Sequence, residues 1–194
     1  MTATTAKPMT LAEYLNFYDG TDTRYELIDG QPVAMSTESD LNDRIALFLQ
    51  FCLLQAGIPF YCLSMKTLIA VSGRLANARQ PDLTVLSEES AAALKGAKHR
   101  LITHDMPPPM LVVEVVSPKQ GDRDYRHKRT EYAGRHIQEY WIVDPILQKV
   151  TVMEWVDGLY QEQCYENGQL LASNLFPDLQ LTAEQILAAE HPSA

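Results

Sequence analysis

The sequence has few of the features that build cross-linked or membrane proteins. Its 194 residues include only three cysteines, Cys52, Cys62 and Cys164, which are widely spaced and form no CxxC pair. This argues against a disulfide framework and against a zinc knuckle, and it favours a reducing cytoplasm. The most apolar run, IALFLQFCLLQAGI, is interrupted by two glutamines and is shorter than the about 20 residues that span a bilayer. We therefore expect a cytoplasmic protein without a membrane segment.

Several catalytic signatures are also missing. The sequence has no P-loop and no G-x-G-x-x-G motif, and no G-x-S-x-G elbow surrounds Ser117. The five histidines do not show the spacing of a zinc site. The first residues, MTATTAKPMT, lack the apolar core of a signal peptide, so we expect residues 1–9 to be disordered. These absences argue against nucleotide-loop enzymes, elbow-type serine hydrolases and zinc proteins.

Positive charge is scarce but concentrated. The formal net charge is −9, which weighs against a protein that coats nucleic acid, because such a protein needs a broad basic surface. One segment differs from the rest, since its basic residues outnumber its acidic ones. These basic residues are Lys119, Arg123, Arg126, Lys128, Arg129 and Arg135. An enzyme that contacts phosphates in one place is compatible with this distribution.

The pattern along the chain predicts one mixed domain over residues 1–194, with a core from about 11 to 187. In the N-terminal half, Thr10 and Glu13 form a capping-box pattern before a helix, and YELIDGQPVAM predicts a hairpin. The apolar residues 40–55 predict a buried helix, and FYCLSMKTLIAV and QPDLTVLS each predict a strand.

The C-terminal half begins with a polar, alanine-rich excursion over residues 88–109, for which we expect a short helix or a loop. MLVVEVVS and EYWIVDP predict buried strands on either side of a helix over residues 122–135. Residues 149–173 predict a β-meander, and FPDLQLTAEQILAA a short strand and a helix. Trp141 is expected in the core. The expected fold class is therefore α+β or α/β, with a mixed central sheet flanked by helices.

A carboxylate lies in the middle of the apolar strand LVVEVVS. An ionised Glu114 in a dry interior costs several kcal/mol unless it is paired, metal-bound or protonated. Asp82 in QPDLTV is its natural companion, because two neighbouring strands could let both acids share one divalent cation. Mg²⁺ prefers oxygen ligands, with Mn²⁺ as a substitute, and the backbone carbonyl of Val115 can add one. Lys128 can then direct an ammonium at the scissile phosphate or at the attacking water.

The motifs PDLTVL, LVVEVVSP, D124-x-x-x-K128-x-x-x-Y132 and QEYWIVDP occur in this order, after YELIDGQPVAM with Glu26. This order resembles the Uma-two family of restriction endonucleases over residues 11–187. The resemblance implies a restriction-endonuclease-like fold of the PD-(D/E)XK superfamily, with an N-terminal hairpin and a C-terminal meander. It also implies that Asp82 is the motif aspartate, Glu114 the second acid and Glu26 a supporting acid.

Two positions depart from the pattern that the resemblance implies. The superfamily lysine is expected two residues after Glu114, where this chain has Val116, so Lys128 is its expected substitute. A histidine often found at the start of the long helix is Asn42 here. If that histidine assists catalysis or metal access, its replacement reduces activity.

The leading hypothesis is a Mg²⁺-dependent endonuclease that hydrolyses DNA phosphodiester bonds, with Asp82, Glu114, Lys128 and Glu26 as catalytic residues. Four basic side chains would contact the DNA backbone, namely Lys119, Arg123, Arg126 and Arg129. We expect a homodimer, because cutting two strands often uses two sites and the meander offers apolar edges.

Two other functions stay open. One is a nuclease-derived binding or regulatory module without catalysis, which the acidic charge and Asn42 favour. The other is a metal-dependent hydrolase of RNA or small nucleotides. Lys128 also has a structural alternative, because Asp124 and Lys128 have the spacing of a surface ion pair on a helix, a spacing that Glu131 and Arg135 repeat.

Overall fold

The computed structural model describes residues 7–35, 39–118 and 123–190. The first helix, α1 (Leu11–Leu15), begins at Thr10, whose side chain and backbone both pair with Glu13. This confirms the predicted capping box. Met9 donates its N–H to the carbonyl of Gly30 at 2.7 Å, so the expected disorder of residues 1–9 does not extend to Met9. Residues 1–6 lie outside the described part.

The predicted hairpin is confirmed as β1 (Tyr25–Ile28) and β2 (Gln31–Ala34), which pair antiparallel. Its two turn residues, Asp29 and Gly30, both have positive φ, 46° and 73°, as a type I′ turn requires. The predicted long helix is α2 (Asp40–Gln55), which is capped by the Ser39 side chain.

A five-stranded sheet contains the hairpin. Its order is β2-β1-β5-β4-β7, and all its pairs are antiparallel except β4 with β7. The three further strands are β4 (Leu68–Val71), β5 (Asn77–Arg79) and β7 (Leu101–Ile102). The sequence pattern did not predict β5, a three-residue strand that pairs with β1 on one side and β4 on the other.

A six-stranded sheet forms the larger part of the molecule, in the order β11-β10-β9-β8-β6-β3. Its strands are β3 (Leu63–Ser64), β6 (Leu83–Val85), β8 (Leu111–Val115), β9 (Glu139–Asp144), β10 (Lys149–Val156) and β11 (Leu159–Glu166). The β8–β9 pair is parallel and the other pairs are antiparallel. A parallel pair needs a crossover, and this one contains a π-helix, Arg123–Lys128, followed by α4 (Arg129–Ala133).

Four predicted elements differ in detail. FYCLSMKTLIAV is not one strand but a 3₁₀-helix (Phe60–Cys62), β3 and β4, because the chain turns where the Lys66 N–H donates to Ser64 Oγ. Residues 88–109 contain α3 (Glu88–Ala93) and β7. The crossover helix begins with a π-turn, and its predicted start at Asp122 lies outside the described residues. FPDLQL makes no strand in the described chain, but the helix after it is present as α5 (Ala183–Ala188).

The core lies on both faces of the six-stranded sheet. One face packs against α2 and α5 through residues such as Leu49, Trp141 and Ile186, which confirms Trp141 as a core residue. The other face packs against α4 through Tyr132 and Tyr140. The fold class is confirmed, with the β-structure divided into two mixed sheets flanked by helices. In the described residues, no helix is long and apolar enough to cross a membrane.

Candidate active site

Asp82 and Glu114 meet where β6 and β8 run side by side. Leu83 pairs with Val113 in this antiparallel ladder, so the next position places Asp82 opposite Glu114. Asp82 Oδ2 also accepts the Val115 N–H at 2.6 Å. Asp82 is half-buried, whereas Glu114 is only 3% exposed. The two acids that the sequence singled out therefore converge, with Asp82 on the side that solvent reaches.

Lys128 lies against Glu114. Its ammonium is 2.7 Å from Glu114 Oε2 and 3.0 Å from Asp124 Oδ1, and all three residues are almost completely buried. The other Glu114 oxygen accepts the Tyr132 hydroxyl at 2.7 Å. Asp124 and Lys128 do form the ion pair that their i,i+4 spacing predicted. The pair is buried next to Glu114 on β8, so it is not a solvated pair on a helix surface.

Glu26 reaches the same cluster from β1 and is fully buried. Its Oε1 accepts the Gln80 N–H at 3.2 Å and lies 3.9 Å from the Lys128 ammonium. Its Oε2 accepts Arg79 Nη1 at 3.1 Å. The five-stranded sheet thus supplies an acid to a site whose other members belong to the six-stranded sheet and the crossover.

Arg79 on β5 is the site residue that the sequence analysis missed. Its guanidinium is 2% exposed and makes a bidentate pair with Glu131, with two N–O distances of 2.7 Å. Because it also binds Glu26, it ties β1 to α4, which follows Lys128 directly. The pairing of Glu131 with Arg135 that the spacing allowed does not occur; Arg135 instead donates to the Thr103 carbonyl.

The cluster carries more negative than positive charge. Burial raises the pKa of Glu114 to about 8, with Asp82, Asp124 and Glu26 adding to the rise and Lys128 opposing it. Burial likewise raises the pKa of Asp82 to about 6, against the lowering effect of the Val115 N–H and of Lys128. An additional cation would therefore be favourable between these carboxylates, because it would offset their mutual repulsion.

The carboxylate oxygens of Asp82 and Glu114 are suitable ligands for a hard divalent cation. Among the described residues, Asp82 Oδ1 accepts no hydrogen bond, and Glu114 offers two oxygens that accept one donor each. The described part contains no group of three His, Cys, Asp or Glu side chains that could hold a metal. Mg²⁺ needs only one or two carboxylates, since waters and phosphate oxygens complete its shell, so Asp82 and Glu114 suffice as protein ligands.

The two departures from the expected pattern have clear surroundings. Val116 is buried in the apolar cluster beneath α4, where an ammonium would have no room among apolar neighbours. Asn42 on α2 donates to Ser117 Oγ at 3.1 Å and more weakly to the Val115 carbonyl at 3.4 Å. Asn42 therefore fastens α2 to the end of β8, beside the carbonyl that was predicted as a metal ligand.

The predicted DNA-contacting residues differ in their contacts and exposure. Arg129 is engaged by Glu162 and by the Tyr160 carbonyl, whereas Arg126 is exposed. Arg123 belongs to the π-helix, but its side chain is outside the described part, as is the whole of Lys119. The crossover thus directs much of its positive charge into the protein.

A family model described as "Putative restriction endonuclease", Uma2, matches residues 11–184. The chain belongs to the Uma2 family. Among solved structures, it is similar to a "putative nuclease belonging to DUF820" from Anabaena variabilis, with a TM-score of 0.74 and 16% identity. The match covers 94% of this chain and 99% of that one. A comparison with curated proteins finds no match.

Membership of Uma2 confirms the resemblance, and the neighbour confirms the fold. Neither assigns a role to a residue. Arg79 had no signal of its own in the sequence, because a lone arginine in NARQPD is typical of an exposed loop. The one available clue is that a buried acid, Glu26, needs a cationic partner, and Arg79 precedes Asp82 by only three positions.

Proposed function

We propose that this Uma2 protein is a metal-dependent endonuclease that hydrolyses DNA phosphodiester bonds. The observation that carries the proposal is the convergence of Asp82, Glu114 and Lys128, with 2.7 Å between the Lys128 ammonium and Glu114. A lysine beside two acids is the donor set that phosphodiester hydrolysis needs: oxygens for a cation and a positive charge near the phosphate. Membership of a restriction-endonuclease family supports a nuclease function in general.

In the proposed mechanism, the two acids and Lys128 have different roles. Asp82 and Glu114 would hold Mg²⁺ or Mn²⁺, which when bound supplies Lewis-acid polarisation of the phosphate and lowers the pKa of a bound water. Lys128, held in place by Asp124 and Glu114, stabilises negative charge that develops on the phosphate. Because its ammonium is already oriented, little reorganisation is needed during the reaction.

Glu26 supports the site through Lys128 and Arg79. Its two oxygens are used by Arg79 and by the Gln80 N–H, with Lys128 3.9 Å away. These contacts favour a positioning role over direct cation binding. The DNA backbone would approach from the half-buried Asp82 side of the cluster.

Cleavage of supercoiled plasmid tests the proposal. The wild type should nick or linearise the plasmid with Mg²⁺ or Mn²⁺ and not with EDTA, and Glu114→Gln should lower the rate by about 100-fold or more. Glu154→Gln is the matched control, because Glu154 is a half-buried glutamate on β10 that takes no part in the cluster. Equal cleavage by all three proteins would reveal a contaminating nuclease and refute the proposal.

The same preparation distinguishes the other two functions. A binding module without catalysis predicts no Mg²⁺ heat in calorimetry that depends on Asp82, so the wild type and Asp82→Asn would give equal titrations. A hydrolase of RNA or small nucleotides predicts turnover of those substrates and none of plasmid DNA. Light scattering would test the expected homodimer. The outer strand of the meander, β11, exposes mainly polar residues, which differs from the apolar edge that the sequence predicted.

A further inference from the structure

A second surface, away from the acid cluster, has the composition of a ligand site. It is an open groove of about 710 Å³ between the 3₁₀-helix Phe60–Cys62, α3 and the segment 94–100. We call it the Tyr61 groove. Its lining residues are Tyr61, Glu88, Ala91, Ala92, Leu94, Lys95, Gly96, Ala97 and Arg100. None of them belongs to the site described above.

The lining of the Tyr61 groove consists largely of small residues, and a buried apolar cluster lies beside it. Alanine side chains and Gly96 form much of the lining, and a Cβ built on Gly96 would meet nothing within 4 Å. A buried cluster that includes Leu86, Leu94 and Ile102 lies beneath this part of the chain. The groove is therefore a wide depression on a packed base rather than a gap in loosely packed residues.

Two aromatic rings stand at its edge. Tyr61 is 50% exposed and Phe60 is 77% exposed, and their rings meet edge to face at 5.7 Å. Large rings exposed side by side leave apolar area in water, and such patches mark binding sites more often than bare surface. Tyr61 lines the groove, whose volume of about 710 Å³ is large enough for a planar group.

Positively charged side chains also line the Tyr61 groove. Lys95, Lys98 and Arg100 are exposed, and none forms an ion pair with any residue that the structure describes. The segment KGAKHR contains no acid, and Glu88 is the one acid among the lining residues. On a protein with a net charge of −9, such a group of unpaired cations is a specific feature. It contrasts with the crossover, where Lys128 and Arg129 are both engaged.

We propose that the Tyr61 groove binds a single-stranded nucleic-acid segment, with a base stacked on Tyr61 and phosphates held by Lys95 and Arg100. Aromatic rings beside a positively charged groove are the arrangement that holds unpaired strands without reading their sequence. An acidic peptide would satisfy the cations but would leave the aromatic face without a planar partner. The proposal deepens the proposed nuclease function and rests on it for the identity of the ligand.

The position of the groove suits a substrate that also reaches the acid cluster. β6 runs from Asp82 towards Leu86, whose N–H donates to the Cys62 carbonyl next to Tyr61. Four residues of extended chain span about 13 Å, so the two sites are a few nucleotides apart. A strand cut at Asp82 and Glu114 could extend into the Tyr61 groove.

Fluorescence anisotropy with a labelled 12-nucleotide oligo(dT) in EDTA tests the proposal without catalysis. The wild type and Glu154→Gln, which lies outside both the groove and the acid cluster, should bind equally. Tyr61→Ala should weaken binding about tenfold, whereas Tyr61→Trp should retain it, because one stacked base contributes about 1–3 kcal/mol. Lys95→Glu with Arg100→Glu should weaken binding about tenfold or more and flatten its salt dependence.

Arg74→Glu/Lys7→Glu is the matched control, because both side chains are exposed, lie outside the groove and are changed to the same charge. Thermal unfolding checks that each variant is folded. Equal loss of affinity in the control pair and the groove pair, or unchanged affinity in Tyr61→Ala, would overturn the proposal. So would equally strong competition by a poly-glutamate peptide. Loss of binding in the groove variants with no plasmid cleavage by the wild type would retain the groove and refute the nuclease function alone.

Discussion

Two buried glutamates on neighbouring strands have opposite surroundings. Glu139 begins β9 and is 1% exposed, while Glu114 on β8 is 3% exposed. Glu139 accepts hydrogen bonds of 2.8–3.0 Å from four neutral groups and pairs with no cation among the described residues. The donors are Trp141 Nε1, Ser173 Oγ and the backbone N–H groups of Asn174 and Leu175. Glu114 has one neutral donor, one ammonium and three carboxylates nearby.

The difference separates a structural acid from a candidate functional one. Donors that converge on Glu139 satisfy its charge and fasten the segment 173–176 to the sheet. Burial raises the pKa of Glu114, and the like charges around it add to the rise, so an additional cation would be favourable there. Strong perturbation of a buried acid by its neighbours is typical of functional sites. Burial alone would not have separated the two.

The same substitution at both positions tests whether Glu114 and Glu139 have different roles. Glu114→Gln should lower plasmid cleavage by about 100-fold or more and change the free energy of unfolding at pH 7 by less than about 1 kcal/mol, because an amide resembles a protonated carboxyl. Glu139→Gln should destabilise the fold by about 2–3 kcal/mol, since its amide would face N–H donors.

Urea unfolding and cleavage per folded molecule measure the two effects. Cleavage by folded Glu139→Gln should match the wild type. If Glu139→Gln lost cleavage while folded, or if Glu114→Gln were the less stable variant, the assignment of the two roles would be wrong.

Arg79 tests how the cluster is held together. Arg79→Lys should destabilise the fold by about 1–3 kcal/mol, because an ammonium cannot make the bidentate pair with Glu131 and also reach Glu26. In a double-mutant cycle measured by urea unfolding, Glu131→Gln should cost less in the Arg79→Lys background than in the wild type. Additive losses would show that Arg79 and Glu131 are not coupled.

The pH dependence of stability tests the raised pKa of Glu114. Glu114 has its pKa raised from 4.5 to about 8 in the folded protein, so the folded state binds an extra proton between these values. The free energy of unfolding of the metal-free protein should therefore fall as the pH rises from about 5 to about 8. Thermal unfolding in EDTA should show a smaller fall for Glu114→Gln. Parallel curves for both proteins would contradict the raised pKa.

Asn42 should have the smallest effect. Asn42→Ala removes the hydrogen bond to Ser117, so we expect a loss of about 1 kcal/mol or less in urea unfolding. Its cleavage rate should change by a few-fold at most, because the Asn42 side chain bonds to Ser39 and to the end of β8 rather than to the acid cluster. A loss as large as that of Glu114→Gln would place Asn42 in the catalytic machinery.

Much of this fold followed from local patterns. The capping box at Thr10, the Asp29–Gly30 turn and the apolar runs of β8 and β9 each depend on neighbours in the chain, and each was predicted. The division of residues 60–71 between two sheets was not, because both parts are apolar and only pairing partners distinguish them. β5 was missed because its three residues, Asn77, Ala78 and Arg79, show no strand pattern until they pair with β1 and β4.

The candidate site was predictable where apolar context made an acid conspicuous. Glu114 stood out among valines, the strand QPDLTV suggested Asp82 as its companion with Lys128 as the nearby cation, and the family resemblance added Glu26. Arg79 and Glu131 could not be found in this way, because their significance depends on a contact across 52 positions of the chain. The neutral donors around Glu139 are likewise brought together only by the fold.

The most direct test of the central claim is anomalous diffraction from crystals soaked in Mn²⁺. If Asp82 and Glu114 form a cation site, a single strong peak should lie between their carboxylates, and it should vanish in Asp82→Asn while Glu139 shows none. A peak elsewhere in the molecule, or an unchanged peak in Asp82→Asn, would contradict the claim that these two acids share a metal.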